Sequence, residues 1–173
     1  IIDYTDCVPF YLNLELNLYL KLENPSINDF NGSKTKQDIF NRFMLYADSN
    51  ELQLLKVLAF AKKFNLDLFE AIIKEFNIPV SILVFDDLVS NSYVTEIDEE
   101  NFALHNLMKL SIKDSVKDIL KNKINKFLFD FYEDNILEQI HYAFEFKTLS
   151  EIYQFIQDKI NNTDLKNNTL LIK

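Results

Sequence analysis

The scarcity of glycine and proline is the feature that most restricts how this chain can fold. Its 173 residues contain one glycine and three prolines. A phosphate-cradling loop needs backbone conformations that only glycine adopts without strain, so the sequence carries no such loop. β-Sandwiches and barrels need many turns rich in glycine and proline. The composition therefore predicts a mainly α fold, with long helices joined by few tight turns.

Apolar residues recur at helical spacing before residue 92, which predicts a series of helices. The first begins at Pro9, since a proline at the first helical position loses no hydrogen bond. A loop with Pro25 and Gly32 follows it. The later helices are predicted to begin at Asp38, at Ser49, near Asp67 and at Val80, and the last of them to end at Asn91. Ser49 is the expected cap of the third helix.

The apolar pattern changes between Ser92 and His105. Two short stretches with alternating polarity flank an acidic turn there, which predicts a β-hairpin. Three helices followed by a hairpin form the winged-helix arrangement, a variant of the helix-turn-helix. We therefore predict a winged-helix domain over residues 48–105 and a separate helical subdomain over residues 1–47.

Helical spacing returns after His105. The stretch from Asn106 to Asp134 contains no glycine or proline, so it is predicted to form one long helix, or a helix that bends near Asn122 to Asn125. Two further helices are expected to pair as an antiparallel hairpin. We assign residues 106–173 to an α-helical extension built of hairpins, with a repeat-like character.

The charge distribution argues against a nucleic-acid partner. The formal net charge is −9, and Arg42 is the only arginine. No lysine or arginine occurs between Glu75 and Met108, and the helix that would enter a DNA groove carries Asp86 and Asp87. Groove insertion would place these carboxylates against phosphates. No apolar run is long enough to cross a bilayer, so no membrane partner is expected either.

The sequence shows no constellation typical of an enzyme. It lacks a recognisable nucleophile–base pair and a metal-ligand cluster, so we predict no catalysis and no bound metal in this chain. The single cysteine, Cys7, excludes an internal disulfide and favours a reducing compartment, here the cytoplasm. Because the sequence begins Ile-Ile-Asp rather than with methionine, we interpret it as a piece of a longer protein.

One segment resembles a known family. Leu104, His105 and Asn106 lie where the second predicted strand meets a helix. Together with the rest of Leu52 to Ile112, they resemble the winged-helix segment of the signal transduction ATPases with numerous domains (STAND), which include the NB-ARC ATPases. In that family a Met-His-Asp-type motif occupies this position, and here Asn106 replaces its aspartate.

Two flanking stretches extend the resemblance. Cys7, Val8 and Pro9 resemble the Gly-x-Pro motif that begins the family's helical lid, although Cys7 replaces the glycine. Residues 131–157 resemble the first hairpins of the helical repeats that often follow. The resemblance implies that residues 1–47 form a lid and that the nucleotide-binding core lies before Ile1.

The resemblance also implies roles for two residues. His105 would contact the β-phosphate of ADP, and Pro9 would pack near the adenine, each only together with the missing core. The chain itself would hold no cofactor, whereas the full-length protein would bind ATP or ADP. Other interpretations stay open: His105 as a half-buried residue closing a corner, and Pro9 as an ordinary helix start. Strand alternation places Phe102 and Leu104 on the core face and turns His105 toward the first two helices.

These observations leave several hypotheses for function. The first is a non-catalytic regulatory fragment of a signalling ATPase, which relays nucleotide state to a downstream helical sensor. Its partners would be proteins: its own nucleotide-binding core or the helical repeats. The alternative is a stand-alone helical protein–protein interaction module. A DNA-binding winged-helix regulator is disfavoured by the charge pattern, and an enzyme by the absence of a catalytic constellation.

We predict no measurable binding of this chain to duplex DNA at physiological salt. The reason is the net charge together with the gap in basic residues between Glu75 and Met108. An electrophoretic mobility shift titration checks the prediction. A salt-sensitive shift at micromolar protein would contradict it.

Overall fold

The computed structural model describes residues 8–30 and 35–170, with side chains to residue 161. Cys7 and Gly32 lie outside the described residues. The predicted mainly α fold and its two-stranded hairpin are confirmed. The helices are α1 (Pro9–Lys21), α2 (Lys36–Tyr46), α3 (Ser49–Leu58), α4 (Leu66–Phe76), α5 (Val84–Val89), α6 (Asn106–Ser115), α7 (Asp118–Phe131), α8 (Ile136–Ala143) and α9 (Leu149–Leu170). The strands are β1 (Val94–Glu96) and β2 (Phe102–Leu104), and a short 3₁₀ turn spans Ile27–Asp29.

The chain divides into two compact units, Ile1–Val116 and Lys117–Lys173. The predicted subdomain boundaries at residues 47/48 and 105/106 both fall inside the first unit, so the assignment of separate subdomains stays a prediction. Each unit has its own buried residues and is described by itself below. None of the helices in the described part of the chain combines the length and the apolar character that a membrane span requires.

Helix starts follow from local side-chain caps. The cap of α3 is Asp48, whose carboxylate accepts from the N–H groups of Asn50 and Glu51, so the predicted Ser49 cap was wrong by one residue. A carboxylate competes well for this position because it also carries a charge that favours the helix N-terminus. Asn65 caps α4 in the same way, accepting from Leu68.

Helix α5 is shorter than the predicted Val80 to Asn91. The residues before α5 form tight turns instead of α-helix. These turns are closed by the N–H groups of Val84 and Phe85, which bond to carbonyls three residues back. At the other end, the Asn91 amide donates to the carbonyl of Asp87 and ends the helix.

The hairpin pairs its strands antiparallel, with Val94 opposite Leu104 and Glu96 opposite Phe102. Phe64 extends this sheet by one residue, because its N–H and C=O both bond to the main chain of Phe102, at 2.7 and 2.8 Å. The acidic turn is held by the Asp98 carboxylate, which accepts from Asn101 and from the N–H of Glu100. The Asn101 side chain is the largest cause that lowers the pKa of Asp98.

The core of the first unit is apolar and strongly aromatic. Leu55, Leu58, Leu68, Phe69 and Ile72 are completely buried in α3 and α4. The rings that join this core to the hairpin meet edge to face or tilted, with centroid separations of 5.2–6.4 Å, and belong to Phe64, Phe69, Phe85 and Phe102. Such ring pairs contribute more than the area that they bury.

The predicted long helix after His105 is interrupted, and not at the predicted bend. Helix α6 ends at Ser115, Val116 is extended with φ −87° and ψ 130°, and α7 begins at Asp118. The Ser115 hydroxyl donates to the carbonyl of Ile112 at 2.7 Å, which competes with the helical hydrogen bond of that carbonyl. Val116 is buried, so side-chain burial and local capping end the helix without glycine or proline.

The second unit is built of α7, α8 and the first part of α9. The Phe129 ring contacts Phe146 at 5.7 Å and Phe155 at 5.2 Å. The Gln139 amide, itself buried, donates to the carbonyl of Phe129. The stacked rings of Tyr132 and Tyr142 make a second contact between α7 and α8. These contacts join α7 to α8 and α9, and the antiparallel pairing of α8 with α9 stays a prediction.

We predict that Asp118→Pro is tolerated and that Asn122→Pro is not. Residue 118 is the first residue of α7, and Lys117 before it is extended with ψ 147°, which suits a following proline. Asn122 lies inside α7, where proline removes a hydrogen bond and costs about 3 kcal/mol. Urea unfolding followed by circular dichroism measures both variants. Equal losses of stability would mean that α6 and α7 form one helix in solution.

Candidate functional site

His105 lies at the corner between β2 and α6, where it caps the helix. Its ring Nδ1 accepts from the N–H of Leu107 at 3.3 Å, and its main-chain N–H donates to the carbonyl of Tyr93 at 2.8 Å. Because Nδ1 is an acceptor, the neutral ring carries its proton on Nε2. The imidazole therefore presents a donor at its outer edge and an acceptor to its own helix.

The ring of His105 stacks on Phe10 of α1. The two ring centroids are 4.5 Å apart and the planes differ by 16°. Phe102 and Leu104 point instead into the aromatic core, as the strand alternation predicted. The ring is therefore directed toward the first helix, and its contact joins that helix to the strand-to-helix corner.

Pro9 is the first residue of α1, as predicted, and its side chain is exposed. The carbonyl of Val8 accepts from Tyr11 at 3.1 Å, which completes an ordinary helix start. Since Phe10 follows Pro9 directly, the structure brings the two predicted site residues to the same end of α1. A contact of Pro9 with adenine stays a prediction.

A polar cluster, the Glu51 network, ties the other end of α1 to α3 and the hairpin. The Glu51 carboxylate accepts from Lys21 Nζ at 2.8 and 3.1 Å and from the Tyr93 hydroxyl at 2.8 Å. Tyr93 is 1% exposed. Its burial, and next the charge of Glu51, raise the pKa of the Tyr93 phenol far above the usual range. The buried hydroxyl is thus held as a neutral donor to a carboxylate.

A third contact lies between the two ends of α1. The Asn17 amide donates to the Ser92 hydroxyl at 3.2 Å. Phe10, Asn17 and Lys21 are seven and four residues apart, a spacing that puts them on one face of the helix. This face, with buried Leu14 and Leu18 along it, is the surface of α1 that meets the segment from Glu51 to His105.

Sequence reasoning found His105 and Pro9 but missed the Glu51 network. Lys21 and Glu51 are thirty positions apart, and Tyr93 is a further forty-two positions from Glu51. Neither local spacing nor composition signals that these side chains meet. The one available sign was a tyrosine at an inward position of a predicted strand, which requires a hydrogen-bond partner when it is buried.

The arrangement offers binding and positioning groups, not a reactive centre. Within the described residues, no cluster of three or more His, Cys, Asp or Glu side chains could hold a metal ion. The corner presents an imidazole N–H donor beside the N-terminus of α6, where the N–H of Leu107 is already bonded to the ring Nδ1. A donor in this place suits an anion held at a helix N-terminus.

The comparisons bear on the fold alone. No protein-family model and no curated protein matches the sequence. A solved structure with a similar fold is a STAND protein with a tetratricopeptide repeat sensor from Pyrococcus horikoshii, with a TM-score of 0.62 and 15% sequence identity. The similarity covers 92% of this chain and 23% of that protein. The chain therefore has the fold of a segment of that larger protein.

We predict that Tyr93→Phe costs about 1–2 kcal/mol of unfolding free energy at neutral pH, because it removes a hydrogen bond to a charged acceptor. Tyr153→Phe, at a tyrosine that is 65% exposed, is the matched control and should change little. Denaturant unfolding measures the loss of unfolding free energy in both variants, with a common slope of free energy against denaturant concentration.

The hydrogen bond between Tyr93 and Glu51 also makes the stability of the fold depend on pH. Because the folded state raises the pKa of Tyr93, it keeps the phenol proton to higher pH than the unfolded chain, which releases it near pH 10. The stabilisation by Tyr93 is complete below about pH 10 and declines as the pH rises above it. The difference in stability between wild type and Tyr93→Phe should therefore shrink in that range, and a constant difference would contradict this.

Proposed function

We propose that this chain is a non-catalytic regulatory segment of a STAND-type ATPase, which passes the nucleotide state of a preceding core to a downstream helical sensor. In this proposal residues 1–47 are the lid and residues 48–105 are a winged helix, with α3, α4 and α5 followed by the β1–β2 hairpin. The fold likeness to a STAND protein supports it, as does the order of the helices and hairpin.

The observation that carries the proposal is the charge pattern at the His105 corner. Asp and Glu occur in the first turn of α2, α3, α4, α5, α7, α8 and α9. Among the described helices, only α1 and α6 have none. These are the two helices whose first turns adjoin through the stacked rings of Phe10 and His105.

This pattern is informative because carboxylates stabilise helix N-termini and this chain is acidic. The adjoining N-termini of α1 and α6 have no carboxylate in their first turns and therefore lack that stabilisation. A phosphate group would supply the missing negative charge, with the Nε2–H of His105 as its donor. The corner therefore fits a phosphate of ADP presented by a nucleotide-binding core.

The main alternative is a stand-alone helical interaction module. Leu149, Tyr153 and Ile160 lie on α9 at spacings of four and seven, and their exposed fractions are 76%, 65% and 48%. These side chains form an apolar stripe on one helix face. In the first proposal this stripe would meet the downstream repeats, whereas in the alternative it would bind another protein.

The test uses the full-length protein and separates the two tasks of His105. His105→Asn keeps a good helix cap and removes the imidazole, whereas His105→Ala loses both. We expect ADP to dissociate about tenfold faster from both variants, the effect of losing one hydrogen bond to a charged group. Only His105→Ala should also lose about 1 kcal/mol of stability through the lost cap.

His141→Asn, at the other histidine of the chain, is the control and should leave the ADP off-rate unchanged. Stopped-flow measurement with a fluorescent ADP analogue gives the rates. An unchanged off-rate in His105→Asn would make the histidine purely structural. A full-length protein without a phosphate-binding loop would favour the interaction module.

A further inference from the structure

A lysine-rich surface on α6 stands out in this acidic chain. Lys109 and Lys113 are four residues apart and so lie on the same helix face. The Lys109 ammonium donates to the main-chain carbonyl of Lys62 at 2.8 Å, in the loop between α3 and α4. The Lys113 ammonium lies 5.1 Å from the centroid of the Phe60 ring. We call Lys109 and Lys113, with the neighbouring Leu110, the lysine strip.

The two ammonium groups on α6 repel each other. Burial lowers the pKa of Lys109, and the charge of Lys113 lowers it further. Within the described residues, neither Lys109 nor Lys113 forms an ion pair with a carboxylate. On an ordinary helix surface, lysine is usually placed four residues from glutamate, and a like-charge pair destabilises the helix.

A like-charge pair without a carboxylate departs from the usual helix-surface pattern, and such departures are expected at functional surfaces. The chain is acidic, yet among the described residues no carboxylate pairs with Lys109 or Lys113. The hydrogen bond to the Lys62 carbonyl gives the Lys109 ammonium a structural role. The Phe60 ring gives Lys113 a cation–π contact. Neither contact supplies a negative charge, so the two ammonium groups remain available to a carboxylate from outside the described residues.

We propose that the lysine strip binds an acidic segment of a protein partner, with two carboxylates set against Lys109 and Lys113. The rise along a helix over four residues is about 6 Å. Side chains at alternate positions of an extended chain are about 6.6 Å apart. A Glu-x-Glu segment in extended conformation therefore matches the two lysines, and its flanking apolar side chain would meet Leu110, which is 61% exposed.

Other anions fit the strip less well. A single phosphate calls for convergent donors such as the forked guanidinium of arginine, whereas these lysines are point charges arranged in a row. A long polyanion such as a nucleic acid would extend beyond the strip onto a chain with a net charge of −9. A short acidic peptide would contact Lys109 and Lys113 without extending over the rest of this acidic chain.

The test is fluorescence anisotropy with a labelled peptide, Gly-Glu-Ser-Glu-Ser-Leu, at about 0.1 M salt. Lys113→Gln is the informative variant, because it leaves the bond from Lys109 to the Lys62 carbonyl in place. Lys74→Gln is the matched control: it makes the same charge change at an exposed lysine of α4. We expect Lys113→Gln to weaken peptide binding about three- to fivefold, as for loss of an exposed ion pair, and Lys74→Gln to have no effect.

Two further measurements complete the test. A peptide with both glutamates replaced by glutamine should bind more weakly to the wild type, and binding of the acidic peptide should fall as salt rises to about 1 M. Absence of binding to the wild type, or equal affinities of Lys113→Gln and Lys74→Gln, would overturn the proposal and leave Lys109 as a cap alone. The readout does not involve nucleotide, so failure here is distinct from failure of the proposed function.

Discussion

The carboxylate of Glu51 is the interaction on which the arrangement of the first unit depends. A tyrosine as deeply buried as Tyr93 requires an acceptor for its hydroxyl, and Glu51 supplies it. The carboxylate in turn needs a positive charge, which Lys21 provides from the end of α1. Three elements that are distant in sequence therefore meet at one group, and the buried Tyr93 hydroxyl would be left unsatisfied without it.

This explains why α1 presents one face to the hairpin segment along its whole length. The Glu51 network fixes one end, the stack of Phe10 on His105 fixes the other, and Asn17 bonds to Ser92 between them. A contact made at both ends of a helix resists rotation about the helix axis. The position of the Phe10 ring against His105 is thus supported by contacts at the other end of α1.

The sequence predicted much of this unit because its signals are local. Alternation in Phe102–His105 gave the direction of the His105 ring, and the missing N–H of Pro9 gave the start of α1. The predictions from the sequence failed where a few side-chain contacts decide where a helix ends or which elements meet. The break at Val116 comes from a serine hydroxyl and a buried valine, and a chain without glycine or proline there shows no sign of it. The Glu51 network depends on tertiary contacts, which spacing along one chain does not encode.

The replacement of aspartate by Asn106 is a departure from the family motif and weakens the resemblance at the corner. In the resembling family a carboxylate follows the histidine at this position. Here Asn106 is the first residue of α6 and carries no charge, so the first turn of α6 has no acidic residue. A carboxylate there would stabilise the isolated helix through the helix dipole, a contribution that the neutral Asn106 side chain does not make. The start of α6 therefore depends on the His105 ring, whose Nδ1 accepts from the N–H of Leu107. The side chain that the resemblance assigns to phosphate binding is thus also the side chain that caps the helix.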